Sequence, residues 1–190
     1  MSKSEGNILL VRKLLENSPG EVIRLALITT HYRQPINWGD DVLNESKKKL
    51  DRLYGALRSV TDQIEEGEPS EKVIEALSDD LNTPKALAEL FNIAKAINST
   101  KDKGEAISLS ASLKSSAKLM GLLQANPDEW FKTSYKDSLT PEEIETLIKQ
   151  REVARSSDNF VEADEIRDRL LGLGVIIEDR DDGTLWKYLD

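Results

Sequence analysis

The chain has 190 residues, lacks cysteine and carries a net charge of −9, with 35 Asp and Glu against 26 Lys and Arg. That length suits one or two small domains rather than a large enzyme with its own nucleotide-binding fold, and the absence of cysteine excludes disulfides and cysteine–zinc sites. The acidic balance argues against a general nucleic-acid binder, and the lack of a membrane-length apolar run or a secretory signal favours a cytoplasmic protein.

The charge is unevenly distributed along the chain. Residues 1–60 hold ten Lys and Arg against seven Asp and Glu, whereas residues 61–190 hold sixteen against twenty-eight. Because binding to phosphate groups requires cations, broad contact with a nucleic-acid backbone should favour the first third. A nucleic-acid site in the acidic remainder has to be local and specific.

Two helices are predicted near the start of the chain. The first follows a glycine-bearing loop and covers residues 8–15. The second begins at a capping-box pattern, in which Ser18 and Glu21 flank a proline at the first helical position. This helix should end near Tyr32, because Pro35 disfavours helical geometry in the residue before it.

Residues 40–123 predict an up-and-down bundle of amphipathic helices. Apolar residues recur at steps of three and four, so each helix presents an apolar stripe that needs a partner stripe. The first helix is the longest, at about six turns, and should end before Gly67 and Pro69. An Asp-Asp-Leu-Asn turn separates two later helices, and Thr83 with Pro84 is expected to cap the second of them. The stripes are Leu43, Leu50, Leu53, Leu57, Val60 and Ile64, then Val73, Ile74 and Leu77, then Leu87, Leu90, Phe91, Ala94 and Ile97, and finally Leu109, Leu113, Met120 and Leu123.

A polar linker, residues 124–139, leads to a module of a different kind in residues 140–190. Thr140 and Glu143 form a second capping-box pattern, and a break near Ser157 separates two helices. Two short β-type runs then flank an Asp-Asp-Gly turn signal, which predicts a hairpin. The runs are Val175–Ile177 and Leu185–Tyr188. The fold class is therefore mainly α, with a helical bundle followed by a small α+β module that ends in a β-hairpin.

The module carries the residue types that read an unstacked nucleotide base. An arginine suits the acceptors of guanine, a carboxylate accepts from base amino groups, and an aromatic ring stacks a base for about 1–3 kcal/mol. Residues 151–168 and 174–186 place an arginine, an aromatic ring and acidic side chains around one helix–hairpin junction. Arginine and aspartate at helical spacing are also common on solvated helix faces, and Phe160 could instead belong to the core.

The N-terminal loop contains a lysine, Lys3, shortly before the first helix. Such a lysine can place positive charge where a triphosphate builds up negative charge in a transition state. Taken alone, these first residues also fit an ordinary flexible terminus. His31 is the single histidine, has no Ser or Cys nucleophile at motif spacing, and is expected to be structural.

Taken together, four segments resemble the bacterial-type cysteinyl-tRNA synthetase family. Residues 1–7 are similar to the class I signature Lys-Met-Ser-Lys-Ser-x-Gly-Asn without its first lysine. Residues 31–35 resemble that family's His-Tyr-Arg-x-Pro stretch, and the Asp-Asp-Leu-Asn-Thr-Pro turn at residues 79–84 is distinctive of it. Residues 151–186 match the spacing of its anticodon-binding domain.

The resemblance implies roles for individual residues. Lys3 corresponds to the signature lysine that contacts ATP, and Ser2 and Ser4 lie beside it. Phe160 falls on a base-stacking position that is commonly tryptophan in the family. The positions that would recognise anticodon bases are Arg155, Asp164 and Asp179. No catalytic residue and no metal ligand are expected in this chain.

The resemblance also implies a domain order and partners. Residues 1–39 would be the signature loop and stem-contact segment, residues 40–123 the bundle, and residues 140–190 the anticodon-binding module. The family uses ATP to attach L-cysteine to tRNA-Cys, and its His-Ile-Gly-His-type signature and zinc ligands would lie upstream, in a catalytic half that this chain lacks. ATP and zinc are therefore expected only there. This chain, as a monomer, would bind tRNA-Cys and the catalytic domain without activity of its own.

Two other functions are compatible with parts of the pattern. A free-standing, non-catalytic helical adaptor would bind a protein partner through its acidic bundle. A ligase that joins cysteine to an amino sugar shares the signature loop, but that family lacks the anticodon module, so residues 140–190 argue against it.

Overall fold

The computed structural model describes residues 10–60, 67–133, 139–180 and 183–189, which divide between two compact units, Met1–Pro127 and Asp128–Asp190. Helices dominate both units, and the chain closes with an antiparallel hairpin, which confirms the predicted fold class. The elements are α1 Val11–Leu14, α2 Gly20–Ile28, α3 Asp40–Arg58, α4 Glu71–Ser78, α5 Thr83–Ser99, α6 Lys103–Lys118, α7 Pro127–Phe131, α8 Pro141–Ser156, α9 Phe160–Gly172, β1 Val175–Arg180 and β2 Gly183–Tyr188. Among the residues described, none of the helices is both long and apolar enough to cross a membrane.

The capping box predicted at the start of α2 does not form. The N-cap residue is Pro19, no side chain caps the helix, and the helix ends at Ile28 rather than near Tyr32. The Glu21 carboxylate is engaged elsewhere: it accepts from Tyr54 Oη at 2.9 Å and from the backbone N–H of Leu123 at 2.6 Å. Both donors come from distant parts of the sequence, so the local pattern was misleading.

Most of the predicted stripe residues lie in the core of the first unit, but Ile74 is 44% exposed, so its place in the α4 stripe was wrong. Helix α5 packs against α3, α4 and α6, and α2 packs against α3. Helix α3 ends at Arg58, nine residues before Gly67, and Ile64 lies outside the described residues. The fully buried apolar side chains of this unit include Leu25, Leu50, Leu53, Tyr54, Val73, Leu90 and Leu113.

The turn between α4 and α5 lies where the sequence predicted it, but a different residue caps α5. Asn82 is the N-cap, and its side chain accepts from the backbone N–H of Lys85 at 3.2 Å. Thr83 is already the first residue of the helix. Asp80 and Leu81 both adopt positive φ angles, of 53° and 52°, which reverse the chain within this short turn.

Two of the segments that carry the family resemblance contact each other at this turn. Tyr32 Oη donates to Asp80 Oδ1 at 2.6 Å, and Arg33 Nη2 donates to the same oxygen at 3.1 Å. His31 Nε2 lies 3.1 Å from the Asp80 carbonyl oxygen. The geometry gives the single histidine a structural role, as the sequence suggested.

The second unit contains α8, α9 and the hairpin. Its predicted capping box is present, because Thr140 Oγ1 accepts from the Glu143 N–H at 3.3 Å and Glu143 Oε2 accepts from the Thr140 N–H at 2.8 Å. Helix α9 packs against α8 and β1, and Gly174 adopts the left-handed φ of 78° that turns the chain into β1. The core of the unit is Ile144, Leu147, Ile148, Ile166, Leu170, Val175 and Trp186.

Candidate nucleic-acid interface

A tight turn brings the end of α8 close to the start of α9. The Asn159 N–H donates to the Ala154 carbonyl at 2.9 Å and the Asp158 N–H to the Arg155 carbonyl at 3.1 Å, the two bonds of a Schellman motif. Asp158 supplies the left-handed residue, with φ of 58°. The turn places Arg155 in the last turn of α8 and Phe160 at the first position of α9.

The hairpin brings Asp179 and Thr184 together on paired strands. These residues are direct partners in the antiparallel register, and Thr184 Oγ1 donates to Asp179 Oδ1 at 2.9 Å. Both lie near the turn end of the hairpin, beyond the strand positions that enter the core, and Asp179 is exposed. The hairpin therefore carries this carboxylate at the margin of the module.

Two arginines from α8 bind the Asp179 carboxylate. Arg151 forms a bidentate pair, with Nη1 donating to Oδ1 and Nη2 to Oδ2, both at 2.8 Å. Arg155 Nη1 donates to Oδ2 at 2.7 Å. The hydrogen bonds from Arg151 lower the pKa of Asp179 far below its usual range, against the opposing effect of partial burial. The Thr184 hydroxyl and the positive charges of both arginines lower it further.

Arg151 is the functional candidate that sequence reasoning missed. Its guanidinium is buried, with the whole residue 6% exposed, and its pKa is raised chiefly by the hydrogen bonds to Asp179. The signal was present in the sequence, because Arg151 and Arg155 are four residues apart and must share one helix face. Its Nε has no hydrogen-bond partner within the part of the chain that the structure describes.

Phe160 and Asp164 lie on the adjacent face of α9. Phe160 is 58% exposed, so the alternative that it belongs to the core is wrong. Asp164 is exposed and lies one helical turn further along, and its negative charge helps to raise the pKa of Arg151. The structure thus joins Arg155 to Asp179 directly and places Asp164 on the exposed surface of α9.

The N-terminal candidates cannot be placed in the same way. Lys3, Ser2 and Ser4 lie outside the described residues. In the ranges that the structure does describe, no group of three or more His, Cys, Asp or Glu side chains is arranged to hold a metal ion.

Three family models match successive parts of the chain. The model described as the tRNA synthetases class I (C) catalytic domain matches residues 1–48, and the DALR domain matches residues 72–124. The model of the cysteinyl-tRNA ligase anticodon binding domain matches residues 137–186, which include Arg151, Arg155, Phe160 and Asp179. The chain belongs to the cysteine–tRNA ligase family.

Relatives in this family align with the chain over nearly its whole length. The cysteine–tRNA ligase of Parvibaculum lavamentivorans is 48% identical over 193 residues, which cover 98% of this chain and 41% of that protein. Those of Caulobacter sp. and Paramagnetospirillum magneticum are 43% and 47% identical, and the matches cover 100% and 98% of this chain. The chain spans 41–42% of the length of these cysteine–tRNA ligases and corresponds to their C-terminal portion.

Proposed function

We propose that this chain is the tRNA-binding, C-terminal part of a cysteine–tRNA ligase, and that the module formed by α8, α9 and the hairpin binds the anticodon loop. The observation that carries the proposal is the Arg155–Asp179 pair, with Nη1 and Oδ2 2.7 Å apart, on a segment that matches an anticodon-binding family model. The whole enzyme would use ATP to attach L-cysteine to tRNA-Cys.

Base recognition would divide among the exposed groups. The Arg155 side chain is 48% exposed and carries further N–H groups that could donate to the O6 and N7 acceptors of guanine. Phe160 would stack an unstacked base, and the Asp164 carboxylate would accept from a base amino group. Acidic residues used in this way add selectivity without adding general affinity for phosphate, which suits an acidic module.

The remaining roles concern the whole enzyme. Lys3, with Ser2 and Ser4, would contact ATP as part of the signature loop, and the other ATP-binding residues and the zinc ligands would lie in the catalytic half. The whole enzyme would be a cytoplasmic monomer. Cations in residues 1–60 would contact the phosphate backbone of the tRNA, where the local balance of charge is positive.

The test uses anticodon stem-loops and the purified chain. Fluorescence anisotropy would compare a stem-loop that carries the cysteine anticodon with one in which a single anticodon base is changed. The wild-type chain should prefer the first. Arg155→Ala should weaken that binding by about 1–3 kcal/mol and reduce the preference, because a bidentate contact to one base is lost. Arg169→Ala is the matched control, since Arg169 is exposed on α9 but lines a separate groove with Leu139 and Thr146.

The control and the alternative function give outcomes that oppose the proposal. Equal affinity for every stem-loop, before and after Arg155→Ala, would rule out anticodon reading by this module. A pull-down that recovers a protein partner and no tRNA would favour the non-catalytic adaptor instead.

A further inference from the structure

The Asp179 carboxylate has no acceptor position left over. Oδ1 accepts from Arg151 and Thr184, and Oδ2 accepts from Arg151 and Arg155, so each oxygen receives two donors. A carboxylate offers about four lone-pair sites, and all of them are used. A base amino group could reach Asp179 only by displacing one of these donors. Within this cluster, the exposed part of Arg155 keeps donors available for a base.

Arg151 cannot itself touch a base in this arrangement, because its side chain is 8% exposed. Its planar fork instead holds both carboxylate oxygens at 2.8 Å, which fixes the plane of the Asp179 carboxylate as a single-point contact could not. Oδ2, one of the two oxygens so fixed, is the oxygen that binds Arg155 Nη1. The chain of contact therefore runs from Arg151 through Asp179 to Arg155.

Stability alone does not account for a buried arginine at this position. Desolvation of a buried ion pair offsets most of its Coulombic gain, so apolar side chains of similar size often stabilise a protein as well or better. The buried Nε of Arg151 adds a further cost, because it has no hydrogen-bond partner among the described residues. An apolar residue at this position could not orient the Asp179 carboxylate, whereas Arg151 does.

We propose that Arg151 is a positioning residue for anticodon recognition: it orients Asp179, which in turn holds the Arg155 guanidinium at the angle that meets the base. The inference rests on the proposed function of the module. It separates two groups of residues, those that contact the base from the exposed surface and those that fix the geometry behind them. Arg151 and Thr184 belong to the second group, and Asp179 links the two groups.

The variant Arg151→Lys tests the inference, because lysine keeps the positive charge and loses the planar fork. The full chain would be titrated with the cysteine-anticodon stem-loop and with the loop changed at one base. Arg151→Lys should reduce the ratio of the two affinities by about tenfold while leaving the affinity for the changed loop nearly constant. A purely structural role would weaken binding to both loops equally. Arg169→Lys, the same exchange on the exposed side of α9, should leave the ratio unchanged.

A second variant keeps the test decisive if Arg151→Lys unfolds the module. Thr184→Val removes one donor to Asp179 at a partly buried position and leaves both arginines in place, so it should lower the ratio by a smaller factor. Carboxyl-carbon NMR would follow Asp179 in each variant, and its titration should move to higher pH as donors are removed. If the wild type prefers the cysteine-anticodon loop and both variants keep the same ratio of affinities, the inference is overturned and the proposed function stands. Equal binding of both loops by the wild type would overturn the proposed function, and this inference with it.

Discussion

Asp179 shows how strongly a few neighbours determine the state of one side chain. Two guanidinium groups and a hydroxyl donate to it, so its charged form is stabilised in the folded module and its pKa falls far below the usual range. The unfolded chain has no such donors. These donors therefore contribute stability that is fully present above the ordinary pKa of an aspartate, about 4. This stability is lost as the pH falls toward the depressed pKa of the folded state.

The pH dependence of stability gives a direct measurement of this effect. Asp179→Asn should lower the free energy of unfolding at neutral pH, since the buried Arg151 loses its charged partner. The difference in the free energy of unfolding between variant and wild type should shrink below about pH 4, because the Asp179 carboxylate of the unfolded wild type takes up a proton there. Urea unfolding at a series of pH values measures both. Asp168→Asn, an exposed exchange on α9, serves as the control. A difference that stays constant from neutral to acid pH would contradict the ion-pair account.

At single positions, sequence reasoning pointed to exposed residues of the module and overlooked a buried one. Arg155, Phe160, Asp164 and Asp179 were named from residue chemistry and family spacing, and the structure joins the first and last of them at 2.7 Å. Arg151 was overlooked because a charged residue on a helix is usually solvated. Only the three-dimensional structure, in which Arg151 of α8 pairs with Asp179 of the hairpin, reveals that this guanidinium is buried.

At the scale of the helices, two similar sequence patterns have different outcomes. Residues 18–21 and 140–143 both place a hydroxyl residue before Pro and end in Glu, but only the second forms a capping box. The difference is nonlocal: Glu21 accepts from Tyr54 and Leu123, which are distant in sequence, whereas the Glu143 carboxylate accepts from Thr140 at its own helix start. A pattern of four residues cannot carry that information.

Removing the two hydroxyls should therefore have unequal effects. Thr140→Ala should destabilise the second unit by about 0.5–2 kcal/mol, because the N–H of Glu143 loses its acceptor. Ser18→Ala is the matched control and should change stability by less than about 0.5 kcal/mol, since no side chain caps α2. Thermal and urea unfolding of the two variants measure the contrast. Equal losses would mean that the capping geometry does not determine helix stability here.

The helices and strands themselves followed closely from periodicity and turn chemistry. The stripes in α3, α4, α5 and α6 supply the core of the first unit, and the hairpin pairs as the turn signal predicted. Boundaries were less certain, because apolar residues continue beyond the end of α3 and no stripe marks the short α7. Helix ends depend on which groups accept the last backbone hydrogen bonds, and those partners often come from elsewhere in the fold.

Across the whole chain, charge separates the two kinds of RNA contact that the proposed function requires. The total is −9, yet residues 1–60 carry a surplus of cations, while the module that would read the anticodon lies in the acidic remainder. Each phosphate neutralised on binding releases counterions and steepens the dependence of affinity on salt, by a slope of about 0.7 to 0.9 per phosphate. Binding to bases alone has little such dependence.

Salt titrations with two RNAs should separate these contributions. The isolated cysteine-anticodon stem-loop should bind with a shallow slope, of about −1 to −2, because the acidic module neutralises few phosphates. Complete tRNA-Cys should give a steeper slope if cations of the first third contact its backbone. Exchanging Lys48 and Lys49 of α3 for Gln should flatten the slope for tRNA and leave that for the stem-loop unchanged. Identical slopes for the two RNAs would show that only the module binds, and that the positive balance of residues 1–60 serves another purpose.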